Sequence, residues 1–443
     1  MRLWGTTIVA LLLVWTPTAA AAPPPVRPGA PVSAHAMVHT CCTPPVMRER
    51  IFAEAKAMGA RFIRVDVELA GIFDAGGQPE DHPDWSRLDA VLALSRRHEL
   101  PILGILLRPP GAAPWEDPEA FGRLAAAVAA HARDTVVHWE ILNEPDGAWA
   151  FDGTPEQYAH LLRAAYDAIR ARVPEAMVAM GGLMTPEDPA WLDRMLATPG
   201  ADAAHAFDIA NLHLRGQERA LPGVMTAWRD RLAGHGFAGP LWVTEHGYPG
   251  DTAFQADPAF RGGEAAQAAF LTESVLSLAE AGAAEVFVTL RDNLDGGFAS
   301  EGVVDIWDHA PFAARRKPAF TAVRRLVDRW NELMTARTEG RLAEESARAA
   351  LAEADAWRLR AAGHRAVARG LPARLKRLRA RYRRARREGV RTRLYEKIDF
   401  MSLTLRRARS DTGWAKATAG HYALRAELHR AHAAERAAFV AGG

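Results

Sequence analysis

Two glutamates stand where apolar runs of the chain stop. The run Val136–Leu142 gives way to Asn143, Glu144, Pro145 and Asp146, and the run Leu241–Thr244 gives way to Glu245, His246, Gly247, Tyr248 and Pro249. Each run is the length of a short strand, and the Pro or Gly that follows turns the chain away. Two carboxyls delivered in this manner can do together what neither does alone. One, kept protonated, gives its proton to a leaving oxygen while the other acts at the carbon being released. Cleavage of a glycosidic bond needs this division of labour. A separation of about 5 to 5.5 Å makes the second carboxylate a nucleophile and the reaction a retaining one. The pair is 101 residues apart in sequence, so only tertiary structure can join it.

The elements that must do so recur with a βα rhythm. Eight short apolar or β-branched runs read as strands: Ala34–Cys41, Phe62–Asp66, Ile102–Leu107, Val136–Leu142, Met177–Gly181, Phe207–His213, Leu241–Glu245 and Glu285–Leu290. Helical spacing or a turn-rich loop follows each of them. After the second run, Trp85, Leu88, Val91, Leu92 and Leu94 recur on a segment opened by Asp84. After the fourth, Thr154 is placed as an N-cap before Pro155, and Tyr158, Leu161, Leu162, Ala165 and Ile169 mark one face. Eight such units in about 300 residues predict an α/β fold, a closed (β/α)8 TIM barrel. An open doubly wound sheet is the competing arrangement, but its glycine fingerprint does not follow the first run. In a barrel the carboxyl ends of the strands form one mouth, and strands four and seven face each other obliquely across it.

The run Trp139-Glu140-Ile141-Leu142-Asn143-Glu144-Pro145 resembles the motif closing strand four in retaining glycoside hydrolases of the clan that includes the family 5 cellulases and family 39 xylosidases. Trp242-Val243-Thr244-Glu245-His246-Gly247 resembles the strand-seven motif of the same clan. The resemblance implies Glu144 as acid/base, Glu245 as nucleophile and Asn143 as a ligand to the sugar 2-hydroxyl. Phe62-Ile63-Arg64-Val65 is similar to the strand-two segment whose Arg supports the nucleophile, which assigns Arg64, and His213 matches a His at the end of strand six. Two residues beyond that His the family often carries Tyr; this chain has Arg215, and Tyr248 is a candidate to take over the missing hydroxyl's part. The likeness extends through Gly302-Val303-Val304-Asp305 and Lys317-Pro318-Ala319-Phe320, covering roughly Ala34 to Trp330. Trp115, Trp149 and Trp307 lie in loops and offer flat faces for sugar rings.

The implied chemistry uses no metal and no cofactor, and the sequence lacks HExxH, paired CxxC, GxxxxGK[ST] and GxSxG motifs. The rival from another class is a barrel without turnover, acting as a carbohydrate-binding or cell-envelope scaffolding protein.

Bulk composition bounds the whole. The 443 residues are 49% hydrophobic with a net charge of +2, which suits an ordinary folded chain and excludes wholesale disorder. Residues 1–22 read as a signal peptide: Arg2, an apolar stretch from Leu3 to Trp15 too short to span a bilayer, then small residues. Export to the cell envelope or medium is expected, with a Pro-rich linker over residues 23–33. Cys41 and Cys42 are adjacent, leaving open a vicinal disulfide, two thiols or an interchain bridge. Charge divides sharply near Trp330. The first 330 residues hold 29 Lys and Arg against 41 Asp and Glu, and residues 331–443 hold 26 against 12. This basic extension reads as four helical stretches, 342–367, 371–387, 392–409 and 421–440, broken near Gly370 and Gly389. Eleven basic residues and one acid between Arg374 and Arg393 suggest an anionic polymer or a membrane surface as partner, or an Arg face folded back on the acidic barrel. Nucleic acid is disfavoured by the expected export.

Overall fold

The protein is described from a computed structural model covering residues 22–73, 83–107, 109, 113–185, 189–215, 220–251, 262–292, 300–306, 314–384, 386 and 388–442. The expected signal segment up to residue 21 and Trp307 lie outside the described residues.

Eight parallel strands form the inner wall: β1 Val32–His39, β2 Ile63–Glu68, β3 Ile102–Leu107, β4 His138–Ile141, β5 Met177–Met180, β6 Ala210–Arg215, β7 Leu241–Gly247 and β8 Ala283–Thr289. Their order is β5-β4-β3-β2-β1-β8-β7-β6, and parallel bridges Ala179↔Ile209 and Leu183↔Leu212 close the ring between β5 and β6. The expected (β/α)8 barrel is therefore the observed one. A short antiparallel hairpin, β9 Val304–Ile306 with β10 Ala314–Arg316, follows β8 and was not foreseen from the sequence.

The outer helices are α1 Pro45–Met58, α2 Ser86–His98, α3 Pro118–Ala132, α4 Pro155–Arg172, α5 Pro189–Leu196, α6 Leu221–Gly234, α7 Gly263–Glu280 and α8 Pro318–Asp328. Local chemistry fixes several starts. The Thr154 hydroxyl accepts from the Gln157 backbone N–H while the Gln157 side chain accepts from that of Thr154, a capping box completed by Pro155 in the first turn. Asp117 caps α3 through the Ala120 N–H. Helix α1 stops at Gly59, whose φ of 89° is one that glycine tolerates best.

Inside the barrel, strand alternation stacks side chains in layers. Phe62, Leu103, Ala179, Ile209, Trp242 and Phe287 form an apolar floor, all almost fully buried. His138 lies on this floor, 5.0 Å from the Phe62 ring and 5.4 Å from Trp242. Each large floor residue contributes about 1.5 to 3 kcal/mol by leaving water. Two residues further along β2 and β4 the pattern reverses, and the same inward positions carry Arg64 and Glu140.

The chain divides into two compact units, the first ending at Asp328 and the second starting at Arg329. The second consists of α9 Trp330–Arg384 and α10 Glu388–Gly442, each 55 residues, packed along one another. This corrects the expected four stretches: α9 runs unbroken through Gly370 and Pro372. Buried Leu333, Ala347, Ala354, Ala361 and Leu375, with Ala336, Ala343 and Ala350, keep a seven-residue register, as do Leu394, Ala408 and Ala415 and then Ala419, Ala426, Ala433 and Val440 on α10. A heptad seam of small residues lets two backbones approach closely along their whole length. That pairing offsets the roughly 3 kcal/mol that an interior proline costs a helix.

Candidate active site at the barrel mouth

Arg64 anchors the site from below. It is almost fully buried, yet all five guanidinium N–H groups have acceptors. Nε and Nη2 donate to the two oxygens of Glu140 at 2.8 Å each, Nη1 donates to Glu245 Oε1 at 2.6 Å, and Nη2 donates to Asn143 Oδ1 at 2.7 Å. The fifth meets His35 Nδ1 at 3.3 Å. Burial draws the His35 imidazole down to about 3, with Arg64 and Arg215 adding to the effect and Glu245 opposing it. His35 is thus neutral, and its Nδ1 is free to accept. A buried charge satisfied to this degree is held rigidly.

Glu245 projects from β7 into the mouth, and both its oxygens are bound. Oε1 accepts from Arg64 and Oε2 accepts from Arg215 Nη2. Burial alone would raise this carboxyl; His213 and His35 when charged, and Arg215 and Arg64 at every pH, outweigh it and hold Glu245 well below the usual carboxylate range. Arg215 also donates from Nε to Glu301 Oε2 at 3.1 Å. Burial pushes Glu301 up to about 7, against the pull of Arg215 and with the help of Glu245.

Glu144 follows β4 with a φ of 44°, and Leu142 before it has a φ of 62°, so the chain leaves the strand through two left-handed residues. Its Oε1 lies 2.7 Å from His213 Nδ1. The His213 tautomer follows from its other nitrogen. Thr244 Oγ1 donates to Asn211 Oδ1 at 2.9 Å, an oxygen that the Thr244 backbone N–H also identifies as the acceptor. Thr244 Oγ1 can then only accept from His213 Nε2, 3.2 Å away, which places a proton on Nε2. The Nδ1–Glu144 contact therefore has one proton between its two atoms. The closest ligand atoms of Glu144, His213 and Glu245 all lie within 4.8 Å of one another.

The structure thus brings together Glu144, Glu245, Asn143, Arg64 and His213. Tyr248 is placed elsewhere: Glu245 faces inward, alternation turns His246 and Tyr248 outward, and the Tyr248 ring stacks on Phe270 of α7 at 4.4 Å. The bond to Glu245 that Tyr248 was expected to make is made by Arg215. Trp115 packs edge-on against Phe151 at 4.8 Å, and Trp149 is 70% exposed. Glu140, His35 and Glu301 were not singled out from sequence. A charged residue interrupting the apolar run Val136–Leu142 was the available signal for Glu140.

Cys41 and Cys42 are joined as a vicinal disulfide just beyond β1. Beside them His39 Nδ1 lies 2.9 Å from both Asp66 Oδ2 and Glu68 Oε1. Hydrogen bonds to Asp66 and then Glu68 raise His39 to about 9. These three residues are spaced closely enough for a metal ion.

No protein-family model matches the sequence, and no curated protein matches it. Solved structures do. A glucosidase from Croceicoccus marinus is similar with a TM-score of 0.53 at 15% identity, over 70% of this chain and 69% of its own. A family 39 glycoside hydrolase from Bacteroides cellulosilyticus WH2 is similar with a TM-score of 0.51 at 16% identity, over 67% of this chain and 63% of its own. An exo-beta-1,4-mannosidase from Opitutaceae bacterium strain TAV5 gives 0.50 at 18%, over 68% and 60%. The match thus spans less than two thirds of the latter two proteins. At these identities the shared property is the fold: the chain has the (β/α)8 barrel on which these glycoside hydrolases are built.

Proposed function

We propose that the protein is an exported retaining glycoside hydrolase with Glu245 as nucleophile and Glu144 as acid/base. The observation that carries this reading is the approach of a Glu144 oxygen and a Glu245 oxygen to within 4.8 Å across the mouth. An approach this close suits carboxyl groups about 5 to 5.5 Å apart, the separation of a double displacement, and supports the retaining reading. In the first step Glu245, kept anionic by two guanidiniums, attacks the anomeric carbon. The glycosidic C–O bond breaks, and Glu144 gives its proton to the departing oxygen. In the second, Glu144 takes a proton from water as the water oxygen displaces Glu245, releasing the sugar with its original configuration. Asn143 directs Oδ1 at Arg64, which leaves its NH2 to donate to a sugar hydroxyl. His213 positions Glu144 through the Nδ1 contact.

Export is supported by the character of residues 1–22 and suits a vicinal disulfide. The test is release of an aryl leaving group from a panel of aryl glycosides by the purified protein, with product configuration read by NMR. Glu245→Ala should abolish turnover and recover it with azide, giving a glycosyl azide of inverted configuration. Folded wild-type protein that binds sugars and releases no aglycone from any of the panel would favour the non-catalytic carbohydrate-binding reading instead.

A further inference from the structure

The charge of the helical unit is confined to its distal half. Between Arg365 and Arg409, the end of the hairpin where α9 gives way to α10, 17 Lys and Arg face three Asp and Glu. The remaining residues, 331–364 and 410–443, carry nine of each sign. The whole excess of +14 therefore sits on one end of a rod about 80 Å long. The alanine seam accounts for the interior of the pair and leaves these cations outside. One groove between the helices is lined by Arg374, Arg377, Arg381, Lys397, Phe400 and Met401; the other carries Lys376, Arg379, Arg383 and Arg406.

Large apolar side chains are exposed among the cations. Phe400 is 71% exposed, Tyr395 60% and Leu403 57%, all between the third and fifth turns of α10. A polyanion such as nucleic acid or an acidic glycan is held chiefly by the guanidiniums, and an aliphatic side chain such as Leu403 held in water adds nothing to contacts with its phosphates or carboxylates. An anionic bilayer uses both kinds of group. Guanidinium and ammonium heads reach the phosphates while their stems and the apolar side chains enter the headgroup boundary. Neither helix is long and apolar enough to cross a membrane, nor is any other among the described residues, which fits a helix pair lying on the surface.

We propose that the distal half of the α9–α10 hairpin, Arg365 to Arg409, is a peripheral docking surface for anionic phospholipid, with the Arg374/Arg377/Arg381/Lys397 strip meeting the headgroups and Phe400 and Leu403 entering the acyl boundary. This holds whether or not the barrel is a hydrolase. The test is co-sedimentation of the full chain with vesicles of phosphatidylcholine alone or mixed with phosphatidylglycerol, at low and high salt. Binding should require phosphatidylglycerol and weaken as salt rises. Replacing Arg374, Arg377, Arg381 and Lys397 together with Gln should lower the partition coefficient by more than about tenfold. The double substitution Phe400→Ser and Leu403→Ser should also lower it, while binding to polyphosphate or duplex DNA stays unchanged. Circular dichroism of each variant, with unchanged helix content, separates loss of docking from loss of the hairpin. Absence of phosphatidylglycerol-dependent binding overturns the proposal. So does equal binding to polyphosphate combined with indifference to the Phe400 and Leu403 changes, an outcome that assigns the surface to polyanions.

Discussion

Arg215 bonds Glu245 from the position where the resembling hydrolases often carry tyrosine, and the exchange alters the electrostatics of the carboxylate. A phenol donates a hydrogen bond without charge; a guanidinium brings a full positive charge to the same oxygen. Two arginines on one carboxylate keep it ionised far into acid. Arg215→Met should therefore move the acidic limb of the kcat/KM profile upward by about one to three pH units, the effect of removing one adjacent opposite charge. An unshifted limb would mean that Arg64 alone sets the ionisation. Arg64 itself is less replaceable. Arg64→Met leaves Glu140 buried without its bidentate partner, and should cost about 3 to 5 kcal/mol in denaturant-measured stability. At this scale the sequence was half legible. Glu144, Glu245, Asn143 and Arg64 are marked by their place at strand ends or in recognisable local runs. Glu140 and His35 are bonded only to residues on other strands, and nothing local to them announces those partners. The place of Tyr248 is not legible, because β7 carries a register shift between Val243 and His246 and both Trp242 and Glu245 face inward, so a simple count by twos does not tell which side Tyr248 takes.

Elements place these residues through register, and the approach of β5 to β6 shows how little slack there is. Gly182 follows β5 against the face of His213: a Cβ built on it would lie 2.1 Å from His213 Nε2. The Gly182 backbone N–H also donates to Glu140 Oε1 at 3.1 Å. Gly182→Ala must therefore push the imidazole away from Thr244, and with it Glu144. A displacement of about 1 Å at a positioning group can cost on the order of a hundredfold in kcat, so a large loss of turnover is expected with KM changed far less, checked on aryl glycosides. Wild-type rates in the alanine variant would show that His213 does not orient Glu144. Strand order was readable because parallel strands buried on both faces are apolar runs of fixed length. The helical character of the extension was readable too, but not the length of its first helix, because Gly370 reads as a break and α9 runs through it. The local cost of that glycine is smaller than the gain from an alanine seam, which only a count in sevens reveals.

Over the whole molecule, buried carboxyls set the response to pH. Burial raises Glu285 to about 7 against the pull of Arg61 and Ser33, and Glu301 lies there too. Both are raised above the unfolded value of 4.5, so their contribution is fully present below that value and is lost as pH climbs through 7. The loss is on the order of 3 kcal/mol for each. His39, raised to about 9, adds stability that is present below 6.5 and lost as pH rises through 9. Below pH 6.5 the buried His35, His138 and His246, held neutral down to about 3, 4 and 4, work in the opposite sense, because their unfolded forms take up protons that the folded ones refuse. Above pH 6.5 only the first three effects remain, and the barrel's midpoint temperature should fall from there to pH 9. Glu285→Gln should lessen the fall around pH 7, and scanning calorimetry reads both. The two compact units make a separate prediction. The barrel closes around its own apolar floor and the Arg64 network, and the hairpin closes around its own heptads. A chain ended at Asp328 should therefore fold, keep the wild-type pH response of its melting, and release aryl leaving groups at an unchanged rate, while vesicle binding disappears with the +14 charge it lacks. Aggregation of that chain, or loss of turnover with binding intact, would show instead that the long helices complete the barrel.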